Sequence, residues 1–394
     1  MIETINPSTG ERIHTYATLT HAEIHTRIQT SHQAFLTWRQ TNFETRTNHF
    51  YALAELLLAK RTILAEQITA EMGKPLRAAI AEIEKCALVC QHYATHAPHY
   101  LQPKIIPTEY SSSYVCYQPT GIIFAIMPWN FPFWQVFRFA APNLMAGNVG
   151  ILKHAPIVTG CALSIEALFE EAGFPLHVFS TFVMKETDAE TVIAHDYITG
   201  VTLTGSQRAG RAVAMQAGKA LKKVVLELGG SDPYIILEDA DLTEAANLCT
   251  RARLNNSGQV CVAAKRLIVI DEVYDAFLTK ILGCIKHYRV GNPMQEEVDL
   301  GPLARADLRT TVARQVAVSI KQGATLLAGG HTMSGAGFFY PPTVLGDVTP
   351  GMTAFDEEIF DSPVPSFNPT ETSDIKPFSS TTRSDGAIKS NGVA

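Results

Sequence analysis

The sequence has no excess of basic residues and no long apolar runs. Its 394 residues carry 32 Lys and Arg against 38 Asp and Glu, giving a formal net charge of -6 at pH 7. Such a balance offers no basic field for a nucleic acid or an anionic membrane, so we expect neither as a partner. No apolar run reaches the roughly 18 residues of a membrane-spanning helix, and residues 1–14 contain no apolar signal segment. The sequence therefore predicts a cytoplasmic protein.

Cysteine is too scarce and too scattered to build a disulfide framework. The seven cysteines are an odd number spread along a long chain, and we interpret them as reduced thiols of which at most one is chemically active. Cys86 and Cys90 lie close to His92, His96 and His99. At about 100° per residue of a helix, however, the two cysteines fall on the face opposite His92 and His96. No Cys-x-x-Cys or His-Glu-x-x-His pattern occurs, so no metal is predicted.

What the sequence does contain is the pattern of an α/β protein. At roughly 150 residues per domain, 394 residues suggest two or three domains. Hydrophobic residues make up 46% and charged residues 18% of the chain, which indicates a folded protein. A Thr20-x-x-Glu23 capping box begins an amphipathic helix, and the first quarter is predicted to be largely helical. Beyond it, apolar strands alternate with helices, which is typical of a parallel sheet. We predict strands at 121–127, 148–153, 200–204, 224–228, 234–238 and 265–270, and helices at 133–146, 159–172 and 241–256.

Three local patterns could carry chemistry. Gly205-Ser-Gln-Arg-Ala-Gly210 follows a short strand and begins a helix, where backbone N–H groups could meet a pyrophosphate or Ser206 could simply cap the helix. Cys261 follows a run of small and polar residues and is either a thiolate nucleophile or a buried structural cysteine. Glu227 lies within an apolar strand, where burial should raise its pKa and make it a candidate general base.

Five motifs together resemble the NAD(P)-dependent aldehyde dehydrogenase superfamily. They are Pro128-Trp-Asn-Phe-Pro132, Lys153 after a strand, Gly205-x-x-x-x-Gly210, Glu227-Leu-Gly-Gly230 and Gly258-Gln-Val-Cys261, in this order. The likeness covers about residues 3–360. Within it, segments 153–156, 229–233 and 261–266 are most similar to bacterial succinate-semialdehyde dehydrogenases.

The resemblance implies an α/β fold in three parts. These are a Rossmann-like cofactor domain (1–99 and 120–231), a small bridging and oligomerisation β-ribbon (100–119) and an α/β catalytic domain (232–365). The family pattern stops after Phe360, and the family's later segments are missing. Our hypothesis is that the reading frame is shifted near Phe360. Residues 366–394 contain ten Ser or Thr and almost no apolar periodicity, so we predict a disordered tail there.

The resemblance also implies a catalytic cycle on a cysteine. Cys261 would add to the aldehyde carbon, and the side-chain amide of Asn130 together with the Cys261 N–H would hold the oxyanion. Hydride would then pass to the nicotinamide, and Glu227 would activate water against the resulting thioester. The implied reaction is oxidation of an aldehyde, and most specifically of succinate semialdehyde to succinate.

The implied cofactor is NADP or NAD. Lys153 matches the lysine that contacts the adenosine ribose, and Gly205 with Ser206 matches the pyrophosphate turn. Many NAD-specific members carry an acidic residue where this chain has Pro156, so NADP should be accepted here. Near the end of the likeness, Glu358 and Phe360 are expected beside the nicotinamide ribose. The cofactor-binding candidates are Trp129, Lys153, Pro156, Gly205, Ser206, Gly210, Glu358 and Phe360.

Substrate recognition is predicted to depend on one arginine. Arg138, eight residues after Asn130, matches an arginine that binds the distal carboxylate of succinate semialdehyde, a task that suits a bidentate donor. Some family members have a second arginine where this chain has Asn255. An ordinary surface cation at Arg138 stays open as an alternative.

Two other functions stay open on the sequence alone. One is a truncated, inactive remnant that binds dinucleotide or partner subunits without turnover. Its missing C-terminal elements would leave core residues exposed, which favours association with other subunits. A cysteine hydrolase built on Cys261 and Glu227 would need a histidine partner, and none can be assigned. The leading hypothesis expects a small-molecule aldehyde as substrate and leaves a homo-oligomer open.

Overall fold

The structure, a computed structural model, describes residues 1–360 and 363–367 of the chain. Its strands are β1 (Ile2–Ile5), β2 (Arg12–Tyr16), β3 (Lys104–Ile105), β4 (Tyr114–Val115), β5 (Ile122–Met127), β6 (Val149–His154), β7 (Phe179–Thr181), β8 (Ile198–Gly205), β9 (Lys223–Leu228), β10 (Asp232–Ile236), β11 (Ala264–Val269), β12 (Thr325–Ala328), β13 (Thr343–Gly346) and β14 (Pro363–Phe367). Its helices are α1 (His21–Trp38), α2 (Phe43–Ala59), α3 (Arg61–Met72), α4 (Leu76–Tyr100), α5 (Trp134–Met145), α6 (Thr159–Glu171), α7 (Ala189–Ala194), α8 (Gln207–Lys219), α9 (Leu242–Leu254), α10 (Asp271–Ile285), α11 (Ala306–Lys321) and α12 (Thr353–Asp356). Each element predicted from the alternating pattern is confirmed, as is the helical first quarter.

The first five-stranded sheet is parallel throughout. Its order is β7-β6-β5-β8-β9, and helices α1, α5, α6 and α8 pack against it. The apolar sequence of β5 follows from this position, because a central strand of a helix-covered parallel sheet is buried on both faces.

The strand order of this sheet creates a switch point. From β5 the chain moves through β6 to β7 on one side, then returns to place β8 and β9 on the other side. The connections after β5 and β8 therefore leave the sheet in opposite directions. In parallel sheets this divergence opens a crevice at the carboxyl ends of the strands, where ligands bind.

The second five-stranded sheet has the order β10-β11-β14-β13-β12 and is parallel except for the β12–β13 pair. Its own apolar core includes Leu267, Phe277 and Val344. Since β9 ends at Leu228 and β10 begins at Asp232, the chain passes from the first sheet to the second between these residues. The domain boundary at 231–232 stays a prediction.

Two further predictions concern the ribbon and the C-terminal tail. Strands β3 and β4 form an antiparallel ribbon within 100–119, as expected. The tail prediction was wrong at its first two residues, because Ser366 and Phe367 pair with Leu267 and Ile268 in the middle of the second sheet. The prediction was based on the lack of apolar periodicity, but backbone pairing does not require it. Strand β14 lies between β11 and β13 and pairs with both. The rest of that tail lies outside the described residues.

The face assignment on α4 is confirmed. Cys86 and Cys90 are fully buried, whereas His92 and His96 are exposed. Among the residues that the structure describes, no group of three or more His, Cys, Asp or Glu side chains is placed to hold a metal ion. Within the same residues, no helix combines the length and apolar character needed to cross a membrane.

Candidate active site

The predicted cofactor residues gather at the carboxyl edge of the first sheet. Trp129 follows β5, Lys153 is the second-to-last residue of β6, and Gly205 with Ser206 joins β8 to α8. The switch point lies between β5 and β8, so the segments carrying Trp129 and Ser206 flank the crevice. The strand order thus brings together residues that the sequence separates widely.

The turn at 205–210 caps a helix, and its geometry is compatible with the anion site predicted from the sequence. Ser206 caps α8, its Oγ accepting a hydrogen bond from the Ala209 N–H at 3.3 Å. A Cβ at Gly210 would lie 2.5 Å from Leu228 Cδ2, so only glycine lets α8 pack this closely on β9. An N-terminus held in this way presents backbone N–H groups and the positive end of the helix dipole, which fits a dinucleotide pyrophosphate.

Lys153 and His154 are the last two residues of β6. Lys153 is buried, and its Nζ lies 3.5 Å from the His154 carbonyl oxygen; burial lowers the pKa of Lys153, with Glu186 acting in the opposite direction. His154 Nδ1 accepts from the Ala155 N–H at 2.9 Å, which assigns the ring proton to Nε2, and Nε2 donates to the Pro132 carbonyl at 2.8 Å. Burial lowers the pKa of His154 to about 4, so the ring is neutral at pH 7. Pro156 then begins a 3-10 turn.

Helix α4 supports the segment from Pro128 to Pro132, a contact that no local sequence pattern indicates. The Glu82 carboxylate accepts hydrogen bonds from the N–H groups of Phe133 and Trp134, both at 2.9 Å. Lys74 pairs with Glu82 in the core, and its Nζ lies 3.7 Å from the Phe131 ring centroid. Glu82 therefore satisfies backbone donors at the start of α5 and fixes the turn that carries Asn130.

The chain approaches Cys261 through a strained turn. Asn256, Ser257 and Gly258 have φ angles of 52°, 54° and 77°, so three consecutive residues are left-handed, two of them not glycine. Such strain persists only where surrounding contacts enforce it and is common at functional sites. One of those contacts is the buried Arg253, which donates to the Gly258 carbonyl at 3.3 Å and to the Ile359 carbonyl at 3.0 Å.

Asn130 lies against this turn. Its Nδ2 donates to the Gln259 carbonyl at 2.9 Å, and Asn256 Nδ2 donates to the Asn130 carbonyl at 2.9 Å. A carboxamide nitrogen carries two N–H donors, so the bond to Gln259 leaves a second one. The structure thus joins the predicted oxyanion residue to the backbone two residues before Cys261.

Cys261 differs from the deeply buried cysteines. Its side chain is partly exposed. Burial raises the pKa of the thiols of Cys86, Cys90 and Cys161, and raises that of Cys249 to about 11. Those four thiols are therefore poorly suited to form a reactive thiolate.

Lys265 lies between the segments that carry Gly230, Cys261 and Glu358, and no sequence pattern singled it out. Its buried ammonium donates to the Gly230 carbonyl at 2.6 Å and to the Cys261 carbonyl at 2.8 Å, and it pairs with the Glu358 carboxylate. The sequence shows a lysine close after the candidate nucleophile. Its burial and its other two acceptors could not be predicted, because those acceptors lie far away in the sequence. Phe360 extends the same cluster, its ring 5.8 Å from that of Trp129 in an edge-to-face arrangement.

The predicted burial of Glu227 is wrong. Its side chain is 56% exposed, because β9 is an edge strand of the first sheet. The carboxylate instead lies 3.9 Å from the Arg138 guanidinium, which is itself 41% exposed. Both residues line a cavity of about 450 Å³ together with Gln135 and Lys223. Asn255 is exposed and lines a separate cavity of about 960 Å³, whose charged lining residues include Arg77, Arg251 and Asp299.

Known proteins resemble this chain over most of its length. The model of the aldehyde dehydrogenase family matches residues 1–374. The succinate semialdehyde dehydrogenase Sad of Escherichia coli, described as using NAD(P)+, is 45% identical over 356 residues, which are 90% of this chain and 77% of that protein. An NADP(+) succinate-semialdehyde dehydrogenase of Mycolicibacterium paratuberculosis is 43% identical over 365 residues, 91% of this chain and 77% of the relative. The crystal structure of succinic semialdehyde dehydrogenase from Streptococcus pyogenes with NADP+ superimposes with a TM-score of 0.92 at 35% identity, covering 95% of this chain and 82% of that one.

Proposed function

The chain belongs to the aldehyde dehydrogenase family, and from that premise we propose that it oxidises succinate semialdehyde to succinate through a covalent intermediate on Cys261. As a member it is an NAD(P)-dependent oxidoreductase that acts on an aldehyde. The observation that carries the proposal is the hydrogen bond of 2.9 Å from the Asn130 amide to the Gln259 carbonyl, since it brings an oxyanion donor to the cysteine.

Carbon–sulfur bond formation comes first. The Cys261 thiolate adds to the aldehyde carbon, and the carbonyl oxygen takes the negative charge as the tetrahedral thiohemiacetal forms. The free N–H of the Asn130 amide and the Cys261 backbone N–H donate to that oxygen. Because Glu82 and Asn256 fix Asn130 before substrate arrives, little reorganisation is needed when the charge develops.

A dinucleotide would be held by residues already gathered at the carboxyl edge of the first sheet. Ser206 and the first turn of α8 would bind the pyrophosphate, Lys153 the adenosine ribose, and Glu358 the nicotinamide ribose. The nicotinamide supplies a hydride acceptor, which leaves a thioester on Cys261. The match of the turn geometry at 205–210 to an anion supports this assignment.

Glu227 releases the product. Its carboxylate takes a proton from a water molecule, the water oxygen attacks the thioester carbon, and the carbon–sulfur bond breaks to regenerate the thiolate and free the acid. The Arg138 guanidinium lies 3.9 Å from this carboxylate. The same Arg138 would bind the distal carboxylate of succinate semialdehyde with paired N–H groups.

The test is turnover by the whole 394-residue protein. Purified protein is mixed with succinate semialdehyde and NADP, or with NAD, and formation of the reduced nicotinamide is followed. We expect turnover that is lost in Cys261→Ala and in Glu227→Gln. The matched control is Cys116→Ala, which removes an exposed thiol on the ribbon and should leave the rate unchanged. Folded protein that binds NADP without turnover, or full turnover in Cys261→Ala, would contradict the proposal.

A further inference from the structure

Lys265 uses its full hydrogen-bonding capacity inside the site. An ammonium group has three N–H donors and no acceptor. The three acceptors of Lys265 are the carbonyls of Gly230 and Cys261 and the carboxylate of Glu358. The Lys265 side chain is 1% exposed, so these oxygens take the place that water would have around the charge.

The three acceptors belong to three different segments. Gly230 ends the segment that begins at Glu227, Cys261 is the proposed nucleophile, and Glu358 precedes Phe360 in the last motif of the family resemblance. The Glu358 carboxylate packs directly against the backbone of Gly229, since a Cβ at Gly229 would lie 1.9 Å from Glu358 Oε2. Lys265 Nζ also lies 5.4 Å from the Phe360 ring centroid, a cation–π distance.

A buried cation that joins separate segments fixes their relative positions. Without Lys265 the Glu358 carboxylate would lose its charge partner, and two partly buried carbonyls would lose a donor. Glu358 is 30% exposed on its side chain, so part of the carboxylate stays accessible to a ligand while Lys265 holds it. The arrangement leaves the carboxylate oriented before any ligand arrives.

We propose that Lys265 is a positioning residue that orients Glu358 for the ribose hydroxyls of the dinucleotide and ties it to the backbone of Cys261. The inference rests on the proposed function and assigns a residue that acts through Glu358 and Cys261. Lys265 would therefore set the distance between the bound nicotinamide and the nucleophile.

The experiment measures NADP binding directly, by titration calorimetry without aldehyde. Lys265→Met is expected to weaken NADP binding about tenfold, the loss typical of one hydrogen bond to a charged group. Glu358→Gln should weaken it to a similar degree, and the double variant should be no weaker than either single one, because Lys265 acts through Glu358. The matched control is Lys222→Met, which removes a lysine that also donates to two backbone carbonyls, Ile193 and His195, away from the site. It should bind NADP as the natural protein does.

Two results would overturn the proposal. One is NADP binding unchanged within twofold in Lys265→Met; the other is full additivity of Lys265→Met and Glu358→Gln. If Lys265→Met does not fold, Lys265→Arg is tested in its place. The planar guanidinium of arginine cannot present three donors from one atom, so NADP binding should still weaken. Unchanged NADP binding in Lys265→Arg would also overturn the inference. Because binding is read without turnover, a natural protein that binds NADP but does not oxidise succinate semialdehyde would reject the proposed function alone.

Discussion

The Arg138 guanidinium lies 3.9 Å from the Glu227 carboxylate, and both side chains open to the same cavity. One is proposed to bind the acid end of the substrate and the other to activate water at its aldehyde end. A substrate carboxylate would therefore compete with Glu227 for Arg138. Partial exposure of both groups weakens their attraction, so exchange of one carboxylate for the other is feasible.

Arg138→Gln separates these two tasks. We expect kcat/KM for succinate semialdehyde to fall about 10- to 100-fold, mainly through KM, because a charge-assisted pair is lost. For butanal, which has no second carboxylate, KM should change little. Steady-state kinetics with both aldehydes measures the difference. Equal losses for the two substrates would show that Arg138 acts through Glu227 and does not recognise the carboxylate.

Asn130→Ala removes the proposed oxyanion donor. The expected loss is about 100- to 1000-fold in kcat, or on the order of 3 kcal/mol in the barrier, with NADP binding retained. Asn292→Ala is the matched control, since Asn292 caps a surface turn by accepting from the Met294 N–H. A kcat for Asn130→Ala within threefold of the natural value would remove Asn130 from the mechanism.

His154 should make the protein sensitive to acid. Its pKa is lowered to about 4 in the fold. Between about pH 6.5 and pH 4 the unfolded chain therefore binds a proton that the folded chain does not, and the free energy of unfolding falls by ~3 kcal/mol across that range. Urea unfolding of His154→Gln should show a shallower decline toward low pH. The exposed His331→Gln serves as control, and an identical slope in His154→Gln and natural protein would refute the assignment.

Gly229→Ala tests the close packing of the Glu358 carboxylate against Gly229. The added methyl would overlap Glu358 Oε2 and displace the carboxylate from its position, weakening NADP binding about tenfold. Gly218→Ala is the matched control, because a Cβ there meets nothing within 4 Å and alanine favours a helix. Calorimetric titration with NADP compares the two. Normal NADP affinity in a folded Gly229→Ala protein would argue that Glu358 can move freely.

Pro156→Glu tests the basis for accepting NADP. A carboxylate at the start of the 3-10 turn would hydrogen-bond a ribose 2'-hydroxyl and repel a 2'-phosphate, so the ratio of kcat/KM for NADP to that for NAD should fall at least tenfold. Pro156→Gln controls for loss of the proline ring without adding charge. The prediction is rejected if Pro156→Glu leaves that ratio where Pro156→Gln leaves it.

Local features of the site could be predicted from sequence, and long-range ones could not. The cap at Ser206 and the strand before Trp129 depend on neighbouring residues, so their pattern is visible in the chain. The exposure of Glu227 depends on β9 being at the sheet edge, which apolar content does not reveal. Lys265 finds its acceptors 35 residues before and 93 residues after it. Such contacts are determined by strand order and become apparent only in the fold.

The buried pair of Lys74 and Glu82 restricts how this chain could change by mutation. Replacing Lys74 alone would leave an isolated carboxylate in the core, a loss of about 3 to 5 kcal/mol. Replacing Glu82 alone would also free two N–H groups at the start of α5. Substitutions at these two positions should therefore be accepted together or not at all, with position 82 keeping an acceptor. A library that randomises both positions at once should recover covarying pairs, linking the helical first quarter to the turn that carries Asn130.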